Sequence, residues 1–211
     1  MNCSMVIVSM QKHFSKIPKK LYIVEMNTKL SNGKLLVADP SIIGDFSFTR
    51  TVILLAAHND EGSVGFILNK PMSHDLRAFV PEISHPFLVF EGGPVDQDQL
   101  YYIHSRQDCI PNSKPISKEL AWGGDFDVIT SMINSRKLSN IDIKFFLGYS
   151  GWSCDQLKDE IKQKTWIVLD DGDKKANIST SNDASFWKSK MMRLGGRYTL
   201  WANSPSHPYL N

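Results

Sequence analysis

The chain has 211 residues, enough for one large domain or two small ones, and its 42% apolar content permits a packed core. Residues 1–34 hold six lysines and one glutamate, which leaves 18 of the 24 basic and 21 of the 22 acidic residues for the rest of the chain. That slightly acidic body disfavours direct nucleic-acid binding, which depends on clustered lysine and arginine side chains.

Residues 1–29 precede the first predicted strand and hold no targeting signal that we recognise. The apolar run Met5–Met10 is too short for the apolar region of a signal peptide, and the lysines follow it. No stretch of the chain approaches the roughly 20 apolar residues of a membrane span, so no membrane association is expected. We interpret residues 1–29 as either a flexible basic arm or a start-site extension, in which case residues 1–25 precede a true start at Met26, and residues 30–211 as a single domain.

The number and spacing of the cysteines limit the disulfide and metal chemistry that the chain can support. Cys3, Cys109 and Cys154 are widely spaced, and no two of them form a C-x-x-C pair. An odd number at wide spacing disfavours both a disulfide framework and a zinc site. We therefore predict reduced thiols in a cytoplasmic protein, with no metal and no cofactor.

The first half of the chain has the pattern of short strands separated by turns. The predicted strands are Leu35–Ala38, Thr51–Ala57, Ser63–Leu68, Phe87–Phe90 and Leu100–His104. The turn residues Asn59–Gly62 join the second and third strands into a hairpin that Pro71 closes. One or two helical turns are expected over Asp75–Phe79, and Ser105–Lys118 is expected to form a polar loop.

The second half adds helices to two further strands. The predicted helices start at Phe126 after an Asp125 cap, at Ser153 through a capping box with Gln156, and at Ala184, ending at Leu194 before Gly195. The predicted strands are Ile141–Leu147, Trp166–Leu169 and Tyr198–Trp201, and Asp170–Asp183 is expected to be a polar loop. This irregular order predicts an α+β domain with a mainly antiparallel sheet, curled into a partial barrel with flanking helices.

Three glycine clusters punctuate these elements: Gly92-Gly93-Pro94, Gly123-Gly124 and Gly148–Trp152. Each predicts a tight turn where backbones approach closely. The first cluster could instead present backbone N–H groups to an anion. Tyr149 and Trp152 beside the third cluster could line an apolar cleft, or Trp152 could simply fill the core.

Common catalytic patterns are incomplete in this chain. Ser150 does not fit a nucleophile elbow, because the second glycine of the G-x-S-x-G pattern comes one residue early. We find no HExxH, P-loop, GxGxxG or helix-turn-helix pattern, and we predict no catalytic residue. A polar pocket is expected only if His58 and His104 converge near Asn69. The candidate ligand-binding residues are His58, Asn69, Gly92, Gly93, His104, Gly148, Tyr149, Gly151 and Trp152.

Several segments, in this order, resemble the YqgE/AlgH family over about residues 30–211. They are Gly33–Pro40, Phe48–Val52, His58–Gly62, Gly65–Pro71, Glu91–Val95, Gly123–Phe126, Phe145–Trp152, Gln156-Leu157 leading to Trp166, Pro205–Pro208, and Leu210-Asn211. The family usually has a small residue or glycine soon after its Gly-Trp pair, and this chain has Ser153-Cys154-Asp155 there. The resemblance implies an α+β pseudo-barrel and, from the family's label, a transcriptional regulator in a bacterial cytosol.

Three functional hypotheses follow from these observations. The first is a regulator that binds a protein partner or a small ligand, and it agrees with the missing catalytic motif. The second is an enzyme of unknown class, with a pocket near His58, Asn69 and His104. The third is nucleic-acid binding through the basic arm, which the acidic body makes the weakest of the three.

Overall fold

The computed structural model describes residues 29–42, 44–170, 174–179 and 183–205. The strands in these ranges are β1 (Leu35–Ala38), β2 (Val52–Asn59), β3 (Gly62–Ile67), β4 (Pro71–Asp75), β5 (Leu88–Glu91), β6 (Val95–His104), β7 (Lys114–Pro115), β8 (Ala121–Trp122), β9 (Ile143–Ser153) and β10 (Trp166–Leu169). The helices are α1 (Phe126–Asn134), α2 (Gln156–Lys162), α3 (Lys174–Ser179), α4 (Ala184–Leu194) and α5 (Arg197–Ala202), and a 3₁₀ turn covers Leu76–Ala78.

The strands form a mainly antiparallel sheet. Its hydrogen-bonded order is β10-β1-β2-β3-β9-β6-β8-β7, and β4 and β5 branch from β9 through a parallel β5–β9 pair. This arrangement confirms the α+β class. Within the described ranges no strand pair joins β10 to β7, so the sheet is not closed and its curl into a pseudo-barrel stays a prediction.

Strand β9 lies at the centre of the sheet. Its first part pairs with β5 and β6, and its last residues, 150–153, pair with β3. The prediction of a turn over Gly148–Trp152 was therefore wrong, because these residues continue the strand. Since the strand runs to Ser153, helix α2 begins at Gln156 instead of at Ser153.

Two apolar clusters pack on the sheet. The first gathers β1, β2, β3 and β10 with α4, and the second gathers α1 and the loop before β5 against β5, β6 and β9. The adjacent residues Phe145 and Phe146 of β9 are both fully buried, Phe145 in the second cluster and Phe146 in the first. Strand β9 therefore contributes to both clusters, because successive side chains of a strand point to opposite faces.

Two of the helices that were predicted from a capping residue or a helical period, α1 and α4, lie at the predicted positions. The side chain of Asp125 accepts hydrogen bonds from the backbone N–H groups of Asp127 and Val128, and so caps α1 as predicted. Helix α4 spans the predicted residues, and Trp187 and Met191 are buried on its inner face.

Short elements without such signals were missed. Tyr198–Trp201 lies in helix α5 and not in a strand, and Pro71 begins β4. The predicted loops hold β7 and α3. The connection before α5 explains the first error, because Gly195 and Gly196 have φ values of 69° and 54° and redirect the chain so that α5 contacts α4.

Candidate functional site

His104, at the end of β6, is fully buried and hydrogen-bonded on both ring nitrogens. Its Nδ1 accepts from the backbone N–H of Arg106 at 3.2 Å, which leaves the ring proton on Nε2. That Nε2–H faces the carbonyl oxygen of Gly123 at 3.1 Å and the hydroxyl of Ser113 at 3.1 Å. Burial lowers the pKa of His104 and favours the neutral ring. The imidazole thus ties β6 to the double glycine before α1.

Asn69 and His58 also have backbone or hydroxyl partners. The buried amide of Asn69 accepts from the N–H of Val52 at 2.8 Å and donates to the carbonyl of Arg50 at 2.9 Å. The half-buried His58 contacts the hydroxyl of Ser63 at 2.7 Å through Nδ1. Asn69 therefore fixes the start of β2, whereas His58 lies at its far end.

The strand register separates the two histidines. His58 pairs with Ser63, which pairs with Trp152 on β9. His104 pairs with Ile143 on the same strand. The two pairings, at Trp152 and Ile143, lie nine residues apart along β9, so the register places the two histidines beside different parts of the sheet and does not bring them together. The ligand-binding role of each residue stays a prediction.

The glycines of the first and third clusters meet where the β5–β6 connection crosses β9. Gly92 donates its N–H to the carbonyl of Leu147 at 2.7 Å, so this N–H already has a protein acceptor. A Cβ at Gly148 would lie 2.6 Å from the carbonyl oxygen of Gly93 and 2.7 Å from that of Val95. These glycines allow two backbones to touch, which gives them a structural role at the crossing.

The aromatic residues beside this crossing pack against other rings. Tyr149 lies edge-on to Tyr101, with 5.5 Å between ring centres, and its ring also covers Gly151. Trp152 is nearly buried and stacks on Phe48. Trp152 therefore belongs to the core, which was one of the two alternatives that the sequence left open.

One carboxylate that the sequence did not single out joins two tryptophans. Oε2 of Glu160 accepts hydrogen bonds from the indole N–H of Trp152 at 2.8 Å and of Trp166 at 2.6 Å. Its other oxygen accepts from the side-chain amide of Gln156 at 2.9 Å. Glu160 thereby connects α2 to β9 and β10. The pairing depends on three elements meeting, so no local sequence signal could have shown it.

Helices α4 and α5 present large apolar side chains to solvent. The exposed fractions are 45% for Met192, 77% for Leu200 and 46% for Trp201. Arg197, Leu200 and Trp201 lie on one face of α5 because they are three and four residues apart. The amide nitrogen of Asn203 lies 4.0 Å from the sulfur of Met192, which places Met192 beside α5. We call Lys188, Met192, Arg197, Leu200 and Trp201 the C-terminal face.

This face is anchored to the sheet through Arg50. The Arg50 guanidinium donates to the carbonyl oxygens of Ser204 at 2.9 Å and Pro205 at 2.7 Å, and it lies 5.2 Å from the centre of the Trp187 ring. The indole of Trp187 in turn donates to the carbonyl of Ala38 at 2.8 Å. The two helices are therefore held at both ends, and the exposed side chains project from a fixed support.

The charge of this region differs from that of residues 35–183, which are acidic overall. Residues 184–205 contain Lys188, Lys190, Arg193 and Arg197 but no aspartate or glutamate. Lys190 is buried, whereas Lys188, Arg193 and Arg197 are exposed. All charged side chains of this segment are therefore cationic.

Helices α4 and α5 follow each other closely, although the sequence shows no helix-turn-helix pattern. Only Gly195 and Gly196 separate them. A DNA-reading pair uses a three- or four-residue turn and presents hydrogen-bonding side chains to base edges. The exposed face of α5 instead carries Leu200 and Trp201 beside Arg197. The pair resembles a helix-turn-helix in order but not in the chemistry of its exposed side chains.

Other kinds of site can be assessed for the part of the chain that the structure describes. There, no group of three histidine, cysteine or carboxylate residues is arranged to hold a metal ion. Cys109 and Cys154 are free thiols. None of the helices in this part is long and apolar enough to cross a membrane.

Comparison with known proteins gives consistent matches. The family described as AlgH-like matches residues 35–199. A UPF0301 protein of Chlorobaculum parvum is 38% identical over 185 residues, covering 86% of this chain and 96% of the relative. A UPF0301 protein of Bacteroides fragilis is 38% identical over 189 residues, covering 88% of this chain and 93% of the relative.

Solved structures share the fold. The AlgH protein from Pseudomonas aeruginosa has a TM-score of 0.64 at 23% identity, covering 85% of this chain and all (100%) of that one. Protein DIP2367 from Corynebacterium diphtheriae has a TM-score of 0.66 at 20% identity, covering 84% of this chain and 94% of that one. At these identities the likeness concerns the fold alone.

Proposed function

Because the chain belongs to the AlgH-like family, we propose that it is a transcriptional regulator that acts in the cytoplasm by binding a protein partner or a small ligand, and not by reading DNA. The observation that carries this proposal is the C-terminal face. Large apolar side chains that cluster on a protein surface mark interaction sites more often than isolated ones do. Tryptophan is also among the residues that dominate binding energy at protein interfaces.

The arrangement of the polar residues supports a binding function over catalysis. His58, Asn69 and His104 have protein hydrogen-bond partners, and the register of β9 separates the two histidines. A general base must reach its substrate together with the other catalytic groups. The described residues therefore favour a binding function over the alternative of an enzyme pocket at these three positions.

The charge distribution supports an indirect role in transcription. Residues 35–183 hold 14 lysines and arginines and 21 aspartates and glutamates, so they repel a phosphate backbone overall. The exposed cations Lys188 and Arg197 each lie one helical turn from an exposed apolar side chain, and these apolar side chains match a protein surface better than they match base edges.

The experiment is affinity capture of native partners with the full chain, followed by mass spectrometry, and a thermal-shift screen of metabolites. The comparison variant is Leu200→Ser/Trp201→Ser, and the matched control is Leu88→Ser, which alters an exposed leucine on β5. We expect a partner or ligand that binds the wild type and the control. The proposal fails if neither assay yields a specific binder, or if duplex DNA binds at physiological salt.

A further inference from the structure

We propose that the C-terminal face binds an acidic, amphipathic segment of a partner protein. This inference rests on the proposed function and names the chemistry of the partner. The apolar part of the face is formed by Met192, Leu200 and Trp201, and exposed cations border it at Lys188 and Arg197. A partner that buries this face must offer apolar side chains to the first group and carboxylates to the second.

The distance between each cation and the nearest apolar residue on the two helices sets the distance expected between a carboxylate and an apolar side chain of the partner. Lys188 lies four residues before Met192 on α4, and Arg197 lies four residues before Trp201 on α5. Four residues of helix rise about 6 Å, so each cation lies one turn from an apolar contact. An amphipathic segment with a carboxylate one turn from an aromatic or leucine residue matches this spacing.

Arg197 is positioned to contribute to such an interface. Its guanidinium lies 4.9 Å from the centre of the Tyr198 ring and donates to the Tyr198 hydroxyl at 3.1 Å. Asp39 is 3.9 Å away, and 64% of the Arg197 side chain still faces solvent. A guanidinium that is already oriented loses less side-chain entropy when it pairs with a carboxylate.

Other occupants fit the charge less well. A second copy of the chain that used the same face would bring like-charged residues together, because residues 184–205 carry no carboxylate. Residues 1–28 are also cationic, with four lysines and one glutamate. Duplex DNA supplies negative charge but no apolar partner for Leu200 and Trp201.

The test is selection of binders from a phage library of random 16-residue peptides on the full chain, followed by fluorescence polarisation with the selected peptides. We expect peptides that combine aspartate or glutamate with leucine or aromatic residues. Arg197→Glu and, separately, Leu200→Ser/Trp201→Ser should each raise the Kd at least tenfold, and higher salt should weaken binding. Leu88→Ser and Lys114→Glu, at exposed positions outside the face, should leave the Kd unchanged.

A charge swap provides the sharpest readout. Peptides whose carboxylates are replaced by lysine should not bind the wild type and should regain affinity for Arg197→Glu. The inference is wrong if selection yields no binders, if the binders are not acidic, or if the face variants bind like the wild type. It is also wrong if a 20-base-pair duplex or anionic phosphatidylglycerol vesicles bind through this face while the peptides do not. A native partner that is captured equally by the face variants would contradict this inference and leave the proposed function standing.

Discussion

Lys144 lies at an unusual position for a lysine, on the inner face of the central strand. Only 3% of the residue is exposed, and its ammonium nitrogen lies 3.9 Å from the centre of the Phe90 ring. Burial lowers the pKa of Lys144 from 10.5 to about 7. The free energy of unfolding should therefore depend on pH through this residue.

The sign of this pH dependence follows from the number of protons that the folded and unfolded states bind. Between pH 7 and 10.5 the unfolded chain keeps the Lys144 proton while the folded chain has lost it, so stability rises with pH. The slope is at most about 1.4 kcal/mol per pH unit. We predict that Lys144→Met removes this rise in urea unfolding measured at pH 7, 8 and 9. Lys118→Met, at an exposed position, should retain it. Parallel curves for wild type and Lys144→Met would contradict the prediction.

Glu160 provides a second prediction at the scale of single residues. Glu160→Ala leaves the indole N–H groups of Trp152 and Trp166 without their acceptor. We expect it to lower the free energy of unfolding by about 2–4 kcal/mol, because hydrogen bonds to a charged group are among the stronger ones. Glu160→Gln keeps one carbonyl oxygen and should cost about half as much.

The measurement for Glu160 is urea unfolding followed by tryptophan fluorescence. The exposed Glu119 supplies a control in Glu119→Ala, which removes a carboxylate without a tryptophan partner. A loss for Glu160→Ala that is no larger than the loss for Glu119→Ala would show that the shared acceptor contributes nothing.

The roles of single residues were the least predictable part of this chain. The sequence identified His58, Asn69 and His104 as candidate ligand-binding residues, but strand register decides whether such residues meet. His58 of β2 aligns, through Ser63 of β3, with Trp152 near one end of β9, whereas His104 of β6 aligns with Ile143 at the other end. Lys144 precedes Phe145 and Phe146, and only the pairing of β9 decides which of the three faces which cluster.

At the scale of elements, the sequence predicted those helices whose start and period are set by residues in or next to the helix itself. A cap and a 3.6-residue period lie within one segment, so α1 and α4 were found from the sequence. Strands β4, β7 and β8 have two to five residues and exist through their partners. Helix α5 depends on the two glycines before it. The exposed face of α5 was therefore missed with the helix itself.

The glycine crossing provides a matched pair of substitutions. Gly148 and Gly123 have nearly the same φ, 69° and 67°, so alanine meets the same backbone strain of about 1–2 kcal/mol at both. A Cβ at Gly123 has no atom within 4 Å, whereas one at Gly148 meets two carbonyl oxygens. We predict that Gly148→Ala costs about 2 kcal/mol more than Gly123→Ala, or prevents folding. Urea midpoints measure the difference, and equal midpoints would show that the crossing tolerates a side chain.

At the scale of the whole molecule, β9 joins the two apolar clusters, so we predict that they unfold together. Four of the five tryptophans, Trp122, Trp152, Trp166 and Trp187, lie in or against the first cluster, and the fifth, Trp201, is exposed on α5, so tryptophan fluorescence reports mainly on that cluster. Phe145→Leu removes atoms from the second cluster only, and should lower stability by about 1–2 kcal/mol.

If the clusters form one cooperative unit, Phe145→Leu must shift the fluorescence midpoint and the far-UV circular dichroism midpoint by the same amount. Phe146→Leu, one residue along the strand and in the first cluster, is the matched control and should behave in the same way. A fluorescence transition that ignores Phe145→Leu while circular dichroism becomes biphasic would mean that the clusters unfold separately. That outcome would also divide residues 30–211 into two folding units. If β9 instead couples the two clusters, removing one phenylalanine ring on either face of the sheet must destabilise both clusters.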